Sequence, residues 1–561
     1  MSNELFTPIT LWEDFALEHS PIIEPIGEFV SGDVVLSRFY IKGRTLSDGE
    51  VKIYAVLAKN KLKSKMPAVF VLQDFKDAAD ETFITYLAER GYAALTFDYA
   101  GDSGINGNHS VYPASLSGIN YKNCFNSLNT VEGDAKSTPW YEWGVTTRYA
   151  FDYLKSLDFV TKIGAIGIGD SATLLWHLSA TENKLDCASF VLNAGWKAYH
   201  GMNKFKMGEI PEFSTEQLKY LACIEPQSYA SHVKCPSLVL VATNSNKFDF
   251  DRAYDTLTRI NSSVYSSIDY SVDSRDCINA DGVKTMEIFL SKFLKNSKDD
   301  LPSETDIDGE IVNGELKVTV KPDAKNLEAV YLYVAEQSEN PALRCWKVLT
   351  DGTINEDGSI TFSFVPYKDS EQVMFFARTV YKSGFGVGSC VLCRKIKPED
   401  VSNSYKSNVI YSSRTENGKG LFTSARENKV KPSGLCIGQD NEIKVKKGPM
   451  DIGGICCYGG LLSFSLSIEK YKPKTDAVLM CDVYALNDSV LTVKLISDFT
   501  GQRIEYISTK TVKGANVWHN LKFEISDFKT QEGMGLKSFD KINAVFFDAI
   551  GEHLINNVIW A

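Results

Sequence analysis

Residues 162–172 read Lys162-Ile-Gly-Ala-Ile-Gly-Ile-Gly169-Asp-Ser-Ala172, and this stretch decides the fold. Ile163 to Ile168 is short and apolar, as a strand buried on both faces of a parallel sheet must be, and the residues from Ser171 to about 180 read as a helix. The chain therefore turns sharply from strand to helix at Gly169. Working outward, the same alternation recurs on both sides. The apolar run 67–72 is followed by Phe83, Tyr86 and Leu87 at helical spacing, then by a strand at 92–98 and a helix at about 140–157. After the turn come strands at 189–192, 237–241 and 265–272, with helices at about 251–260 and 283–294. Two strand-like runs, 29–42 and 51–58, precede everything and are joined by a turn at Ser47-Asp48-Gly49. An antiparallel pair followed by alternating strands and helices predicts a mostly parallel sheet covered on both faces. Long insertions at about 100–139 and 196–230 follow strands, where the walls and lid of a binding site belong.

Beyond Lys298-Asp-Asp-Leu-Pro-Ser-Glu304 the helical pattern stops, and alternating strands with Gly, Asn and Asp turns run to the C-terminus. Residues 305–398 offer some six strands, among them 316–320, 329–334, 360–364 and 373–380, which suits an immunoglobulin/fibronectin-like sandwich. A second β unit occupies 405–561. The expected fold class is α/β plus all-β in three domains, 1–300, 305–398 and 405–561, in keeping with a length of 561 residues.

The order of elements, Phe97-Asp-Tyr-Ala-Gly-Asp-Ser-Gly104 and the turn at Gly169 resemble the α/β-hydrolase superfamily. The likeness is to its dienelactone-hydrolase and acetylxylan-esterase-like members and covers about residues 25–298. It implies a nucleophile elbow, G-x-S-x-G, whose central residue is held in a strained turn at a helix N-terminus. Here that motif reads Gly167-Ile168-Gly169-Asp170-Ser171, and glycine carries no nucleophilic atom. A shifted frame, Gly169-Asp170-Ser171-Ala172-Thr173, makes Ser171 the fallback nucleophile; its competing role is that of a helix N-cap. The resemblance puts Ser245 where the acid belongs, with Asp249 and Asp251 shortly after it as substitutes or as loop and helix-start residues. It puts Asp276, or Arg275 one residue earlier, where the histidine belongs, and no histidine lies between His232 and His519. Without an imidazole the serine chemistry of this fold loses its proton shuttle. The oxyanion loop, usually His-Gly, reads Gln73-Asp74 before Phe75; together with Asp170 these residues are the expected pocket loop, and a carboxylate there repels a developing oxyanion.

Residues 405–561 resemble galactose-binding-like jelly rolls of carbohydrate-binding modules, through Gly448-Pro-Met-Asp-Ile-Gly-Gly454, Ala477-Val-Leu-Met-Cys-Asp-Val-Tyr484 and Leu554-Ile-Asn-Asn-Val-Ile-Trp560. Sugars are bound by aromatic rings stacked on pyranose faces, and Tyr458, Tyr484, Trp518 and Trp560 are the candidates; the alternative for each is a core or edge position.

Composition excludes several classes. A net charge of −11 without a basic stripe argues against nucleic-acid binding, and no apolar run approaches the ~20 residues of a membrane span. The start shows no secretion signal, so the expected location is cytoplasmic. The 12 cysteines are scattered, with only Cys390/Cys393 and Cys456/Cys457 closely spaced, which reads as buried reduced thiols. The seven histidines form no H-E-x-x-H or similar constellation, and Gly164-Ala-Ile-Gly-Ile-Gly169 falls inside the strand and elbow instead of opening a dinucleotide site. No metal and no cofactor are expected.

The expected function is therefore that of a catalytically inactive hydrolase homologue acting by binding a glycan, an acylated small molecule, a protein partner or a second copy of itself. The alternative is an active carboxylic-ester hydrolase of the acetylxylan-esterase or dienelactone-hydrolase type, using an unorthodox nucleophile such as Ser171 or one on the inserted loops. An open cleft above Gly169 favours a ligand, and a plugged one favours scaffolding.

Overall fold

The computed structural model describes residues 5–101, 107–206, 211–336, 339–397, 399, 401, 405–414, 423–424, 434–437, 443–457, 460–550 and 553–561. Tyr458, Asp102, Ser103 and Gly104 lie outside them.

A nine-stranded sheet organises the first 300 residues. Its strands are β1 (Ile23–Ser31), β2 (Val34–Leu46), β3 (Gly49–Asn60), β4 (Met66–Leu72), β5 (Ala93–Phe97), β6 (Val160–Ile168), β7 (Cys187–Val191), β8 (Ser237–Ala242) and β9 (Ser266–Ser271). They lie in the order β1-β2-β3-β5-β4-β6-β7-β8-β9. The pairs from β1 through β3 to β5 are antiparallel, and all pairs from β5 across to β9 are parallel. One expectation needs correction: residues 29–42 are not a single strand, because the chain reverses between Ser31 and Val34 and pairs them. The hydrophobic run conceals the turn, since Val30, Val34, Val35 and Leu36 flank a single Gly-Asp pair.

Five helices pack on this sheet: α1 (Glu81–Glu89), α2 (Pro139–Lys155), α3 (Ala172–Thr181), α4 (Phe250–Leu257) and α5 (Ala280–Lys295). Their starts are capped as the residue types dictate. Asp80 accepts from Thr82 N, Thr138 from Tyr141 N ahead of Pro139, Asp249 from Arg252 N and Asn279 from Gly282 N. The period of two in β4 sends Ala68, Phe70 and Leu72 into the core on one face of the sheet and Val69 and Val71 into the core on the other. The insertion expected at 196–230 carries a further helix, Thr215–Cys223. Among the described residues no helix is long and apolar enough to cross a membrane.

Among the described residues, the named strands beyond residue 300 pair antiparallel with one another. Between 306 and 395 a four-stranded and a five-stranded sheet enclose a core of Leu316, Val318, Leu332, Val334, Phe362 and Phe375. From 409 onward, sheets of six and five strands enclose Leu479, Val483, Leu491, Val493, Phe547 and Trp560. The first of these β units is joined to the α/β part by more than apolar contact. Trp346, Met374 and Phe376 share a core with Phe250 and Tyr270. Arg378 grips Asp269 with two bonds, Nε to Oδ1 at 2.7 Å and Nη2 to Oδ2 at 3.1 Å. Arg344, fully buried, makes a similar two-pronged contact with Asp251.

Candidate functional site

Gly169 stands at the bend between β6 and α3. Ile168 is still extended at φ −119°, Gly169 reverses to φ +66°, and Ser171 is already helical at φ −67°. A positive φ costs a side-chain-bearing residue strain that glycine avoids. A Cβ at position 169 would also lie 3.0 Å from the carboxyl carbon of Asp74, tighter than ordinary contact. A side chain at the bend would therefore be strained and would require the Asp74 carboxyl to give by a few tenths of an ångström.

Ser171 is buried and its hydroxyl is committed to the backbone. Oγ lies 2.7 Å from the Leu72 carbonyl and 2.8 Å from the Ile168 carbonyl, and accepts from Ile168 N at 3.2 Å. The expected N-cap bond is not made. The hydroxyl instead ties the elbow to the end of β4, because one turn of tight helix at 169–171 brings it back under the strand.

On the oxyanion loop Gln73 turns inward, its Nε2 donating to the Asp80 carbonyl at 2.8 Å and to Thr96 Oγ1 at 3.1 Å. Phe75 is buried and stacks on Tyr121 at a centroid distance of 4.2 Å. Asp74 thus remains as the group facing the bend. One of its carboxyl oxygens is buried with no hydrogen-bond partner among the described residues. Burial, and then the neighbouring charge of Asp170, pushes the Asp74 carboxyl up to about 7, against the pull of Lys247 and Lys197. Asp170 forms an ion pair with Lys197. The Lys197 turn is itself anchored by buried Glu225, which accepts from Trp196 N at 2.8 Å and Ala198 N at 3.1 Å.

Ser245 and Asp276, the positions that the resemblance assigns to the acid and the base, meet in space. Ser245 Oγ donates to Asp276 Oδ1 at 3.0 Å and accepts from Lys247 N and Phe248 N, both at 3.1 Å. Asp249 is a helix cap paired with Arg252 at 2.6 Å, and Asp251 is buried against Arg344. Of the loop or helix-start role expected of these two, the helix start holds: Asp251 lies in the first turn of α4, and an arginine from a β unit distant in sequence covers it there. Arg275 points away from the pair and stacks its guanidinium over the Phe499 ring at 4.8 Å. His177, on α3, is buried. Its Nε2 lies 2.7 Å from the Ile224 carbonyl, its ring stacks on Tyr229, and burial pulls its pKa down to about 3. It is a neutral packing histidine.

A segment from the C-terminal β unit caps the strand ends beside the elbow. A Cβ on Gly434 would lie 2.7 Å from Ile168 Cγ2 and 3.2 Å from Leu192 Cδ1, so only glycine approaches this closely. Leu435 is buried in the α/β core and pairs in parallel with Ile278. At Ser245 lies a cavity of about 370 Å³ walled also by Trp196, Lys197, Lys247, Phe248, Asn340 and Thr500. It thus draws on all three parts of the chain. Asn203 Nδ2 and Asn246 Oδ1 also border it, and each is buried without a hydrogen-bond partner among the described residues. His200 stands at the exposed side of the same cavity.

In the C-terminal unit, Trp560 is buried in the core against Phe539, with ring centroids 5.0 Å apart. Tyr484 and Trp518 are half-buried neighbours at 6.1 Å, and Trp518 Nε1 donates to the Pro449 carbonyl at 3.2 Å. Gly448 and Gly454 let that indole lie flat on the backbone.

No family model matches the sequence, and no curated protein matches it. Solved structures do. An acetyl xylan esterase from Paenibacillus sp. R4 is 15% identical, with 51% of this chain and 92% of that one covered at a TM-score of 0.39. Acetyl xylan esterase 1 from Thermoanaerobacterium sp. JW/SL YS485 is 16% identical over 46% of this chain and 83% of that one, at a TM-score of 0.35. A dienelactone hydrolase-like promiscuous phosphotriesterase from metagenomic libraries is 18% identical over 44% and 84%, at 0.28. The strand order, antiparallel from β1 to β5 and parallel from β5 to β9, and the sharp bend from β6 into α3 are those of a mostly parallel α/β sheet.

Sequence reasoning missed Lys197, Asn203, Glu225, Lys247 and the 434–437 segment. No motif marks them, because they come from an insertion, from the loop after β8 or from a remote β unit, and each gains meaning only from its neighbour in space.

Proposed function

We propose that this chain is a catalytically inactive α/β-hydrolase homologue that acts by binding. The three parts, 1–300, 305–398 and 405–561, are read as a hydrolase-like domain, an immunoglobulin-like sandwich and a galactose-binding-like jelly roll. The observation that carries the proposal is the bend itself: Gly169 occupies it, while the hydroxyl of Ser171, two residues on, is spent on the Leu72 and Ile168 carbonyls. Acyl transfer needs a nucleophile within reach of a base, and here the base position holds a carboxylate bonded to Ser245.

The ligand is a polar, hydroxylated small molecule such as a glycan, held in the cavity beside Ser245. An unpaired amide donor at Asn203, an unpaired acceptor at Asn246 and the Lys247 ammonium suit a ligand rich in hydroxyls, and burying such groups unpaired costs free energy that a ligand would recover. Two measurements on the full chain test this. Purified protein is given 4-nitrophenyl acetate, with no turnover above buffer expected; turnover that disappears in Ser171→Ala makes the protein an esterase and ends the proposal. Titration with mono- and oligosaccharides, followed by Trp fluorescence, is expected to saturate and to weaken at least tenfold in Asn203→Ala and Asn246→Ala. A flat response across the panel removes the small-molecule reading.

A further inference from the structure

Cys277 and Cys436 are 159 positions apart in sequence, yet their sulfur atoms approach to 2.8 Å. Cys277 follows Asp276 in the loop that leads into α5 and is buried. Cys436 belongs to the segment from the C-terminal β unit and is partly exposed. Both are held in place by backbone bonds. Ile278 N donates to the Gly434 carbonyl at 2.8 Å, and Cys436 N donates to the Ile278 carbonyl at 2.9 Å. Leu435, between them, is fully buried. On the other side Ser274 Oγ donates to the Cys277 carbonyl, and Ser245 holds Asp276. Two thiols are thus presented to one another by rigid neighbours, and closing them to a covalent bond requires roughly 0.8 Å of approach.

We propose that Cys277 and Cys436 form a reversible oxidative crosslink that fastens the 434–437 segment over the elbow. The oxidant is a hydroperoxide. The Cys436 thiolate, the more accessible of the two, attacks the distal peroxide oxygen; the O–O bond breaks, an alcohol or water leaves, and a sulfenic acid remains. Cys277 Sγ then attacks that sulfur, forming the S–S bond and expelling the hydroxyl, which leaves as water with the proton from Cys277. In sum two thiols and one hydroperoxide give one disulfide, one alcohol or water, and one water: the sulfurs lose two electrons and the peroxide gains them. A dithiol reverses the crosslink by exchange. The consequence is mechanical. In the reduced form Leu435 and two hydrogen bonds seat the cover; in the oxidised form the C-terminal unit is covalently tied to the loop carrying Asp276, and opening beside Ile168 and Leu192 requires breaking a bond.

The test uses the full chain, reduced with dithiothreitol, freed of it, and treated with one equivalent of hydrogen peroxide before alkylation under denaturing conditions. Two of the 12 cysteines are expected to escape alkylation, with a linked peptide joining Cys277 to Cys436. The oxidised chain should run faster on a non-reducing gel, a shift absent in Cys436→Ser and in Cys277→Ser. Since Cys277 is buried and its replacement can impair folding, hydrogen exchange in the wild type gives a second reading: the Cys436 amide should exchange at least tenfold more slowly after oxidation and recover with dithiothreitol. Full alkylation of both cysteines after peroxide, or a linked peptide that pairs either with a different cysteine, overturns the proposal.

Discussion

Ser245 Oγ donates a 3.0 Å hydrogen bond to Asp276 Oδ1. These are the positions at which the hydrolase resemblance places a carboxylate and an imidazole, and the fold brings their two loops together. A carboxylate accepting from a serine is a static link. Several expectations follow from the packing around it.

Gly169→Ser alone should not create an esterase. Position 169 is at φ +66° and an added Cβ meets Asp74, so the variant should unfold a few degrees lower and show no hydrolysis of 4-nitrophenyl acetate above buffer. Ester turnover in this single variant would show that an unrecognised base reaches the bend.

Ser171→Ala should lower stability by about 1–2 kcal/mol, the usual cost of removing one partner from buried hydrogen bonds, because the Leu72 carbonyl loses its donor and the Ile168 amide its acceptor. Chemical denaturation with wild type alongside measures this. A neutral outcome would mean that water replaces the hydroxyl.

Arg344→Met should cost about 3–5 kcal/mol, since it leaves the Asp251 carboxylate buried without its partner. The double variant Arg344→Met/Asp251→Leu should recover part of that loss. If the single variant is as stable as wild type, the covering β unit is not held by this pair.

The pH dependence follows from Asp74. Its carboxyl is raised from 3.8 to about 7, so between about pH 4 and pH 7 the folded chain holds a proton that the unfolded chain has released, and stability falls as pH rises through that window. Asp74→Asn removes the ionisation. The variant and the wild type should be similarly stable at pH 4, and at pH 8 the variant should be the more stable by on the order of 1–3 kcal/mol. Parallel pH profiles would place the Asp74 carboxyl within the ordinary range.

Much of the α/β part is readable along the chain. Apolar runs such as 67–72 and 163–168 have one solution in a sheet covered on both faces, and Pro139 after Thr138 marks a helix start unaided. Boundaries fail where hydrophobicity masks a turn, as at Gly32 between β1 and β2. The candidate site was legible only as a set of replaced positions. The sequence shows glycine, serine and aspartate where other residues are expected, but the partners of Ser171 and the packing of Asp74 over Gly169 depend on strands up to about a hundred residues away.

Residue type alone settled that position 169 carries no side-chain oxygen, because covalent structure does not depend on folding; that position 169 and not 171 stands at the bend came from the backbone. Periodicity settled a layered α/β part followed by antiparallel β units, since burial of one face per element follows from spacing. Only the tertiary structure decided what lies around the bend: which side chain caps Gly169, that Asp251 and Asp269 are gripped by arginines from a β unit, and that Leu435 returns from the C-terminal part to lie on Ile278. Those contacts join residues whose separation along the chain leaves no local trace, and their energies arise from desolvation and charge pairing that exist only once the surfaces have met.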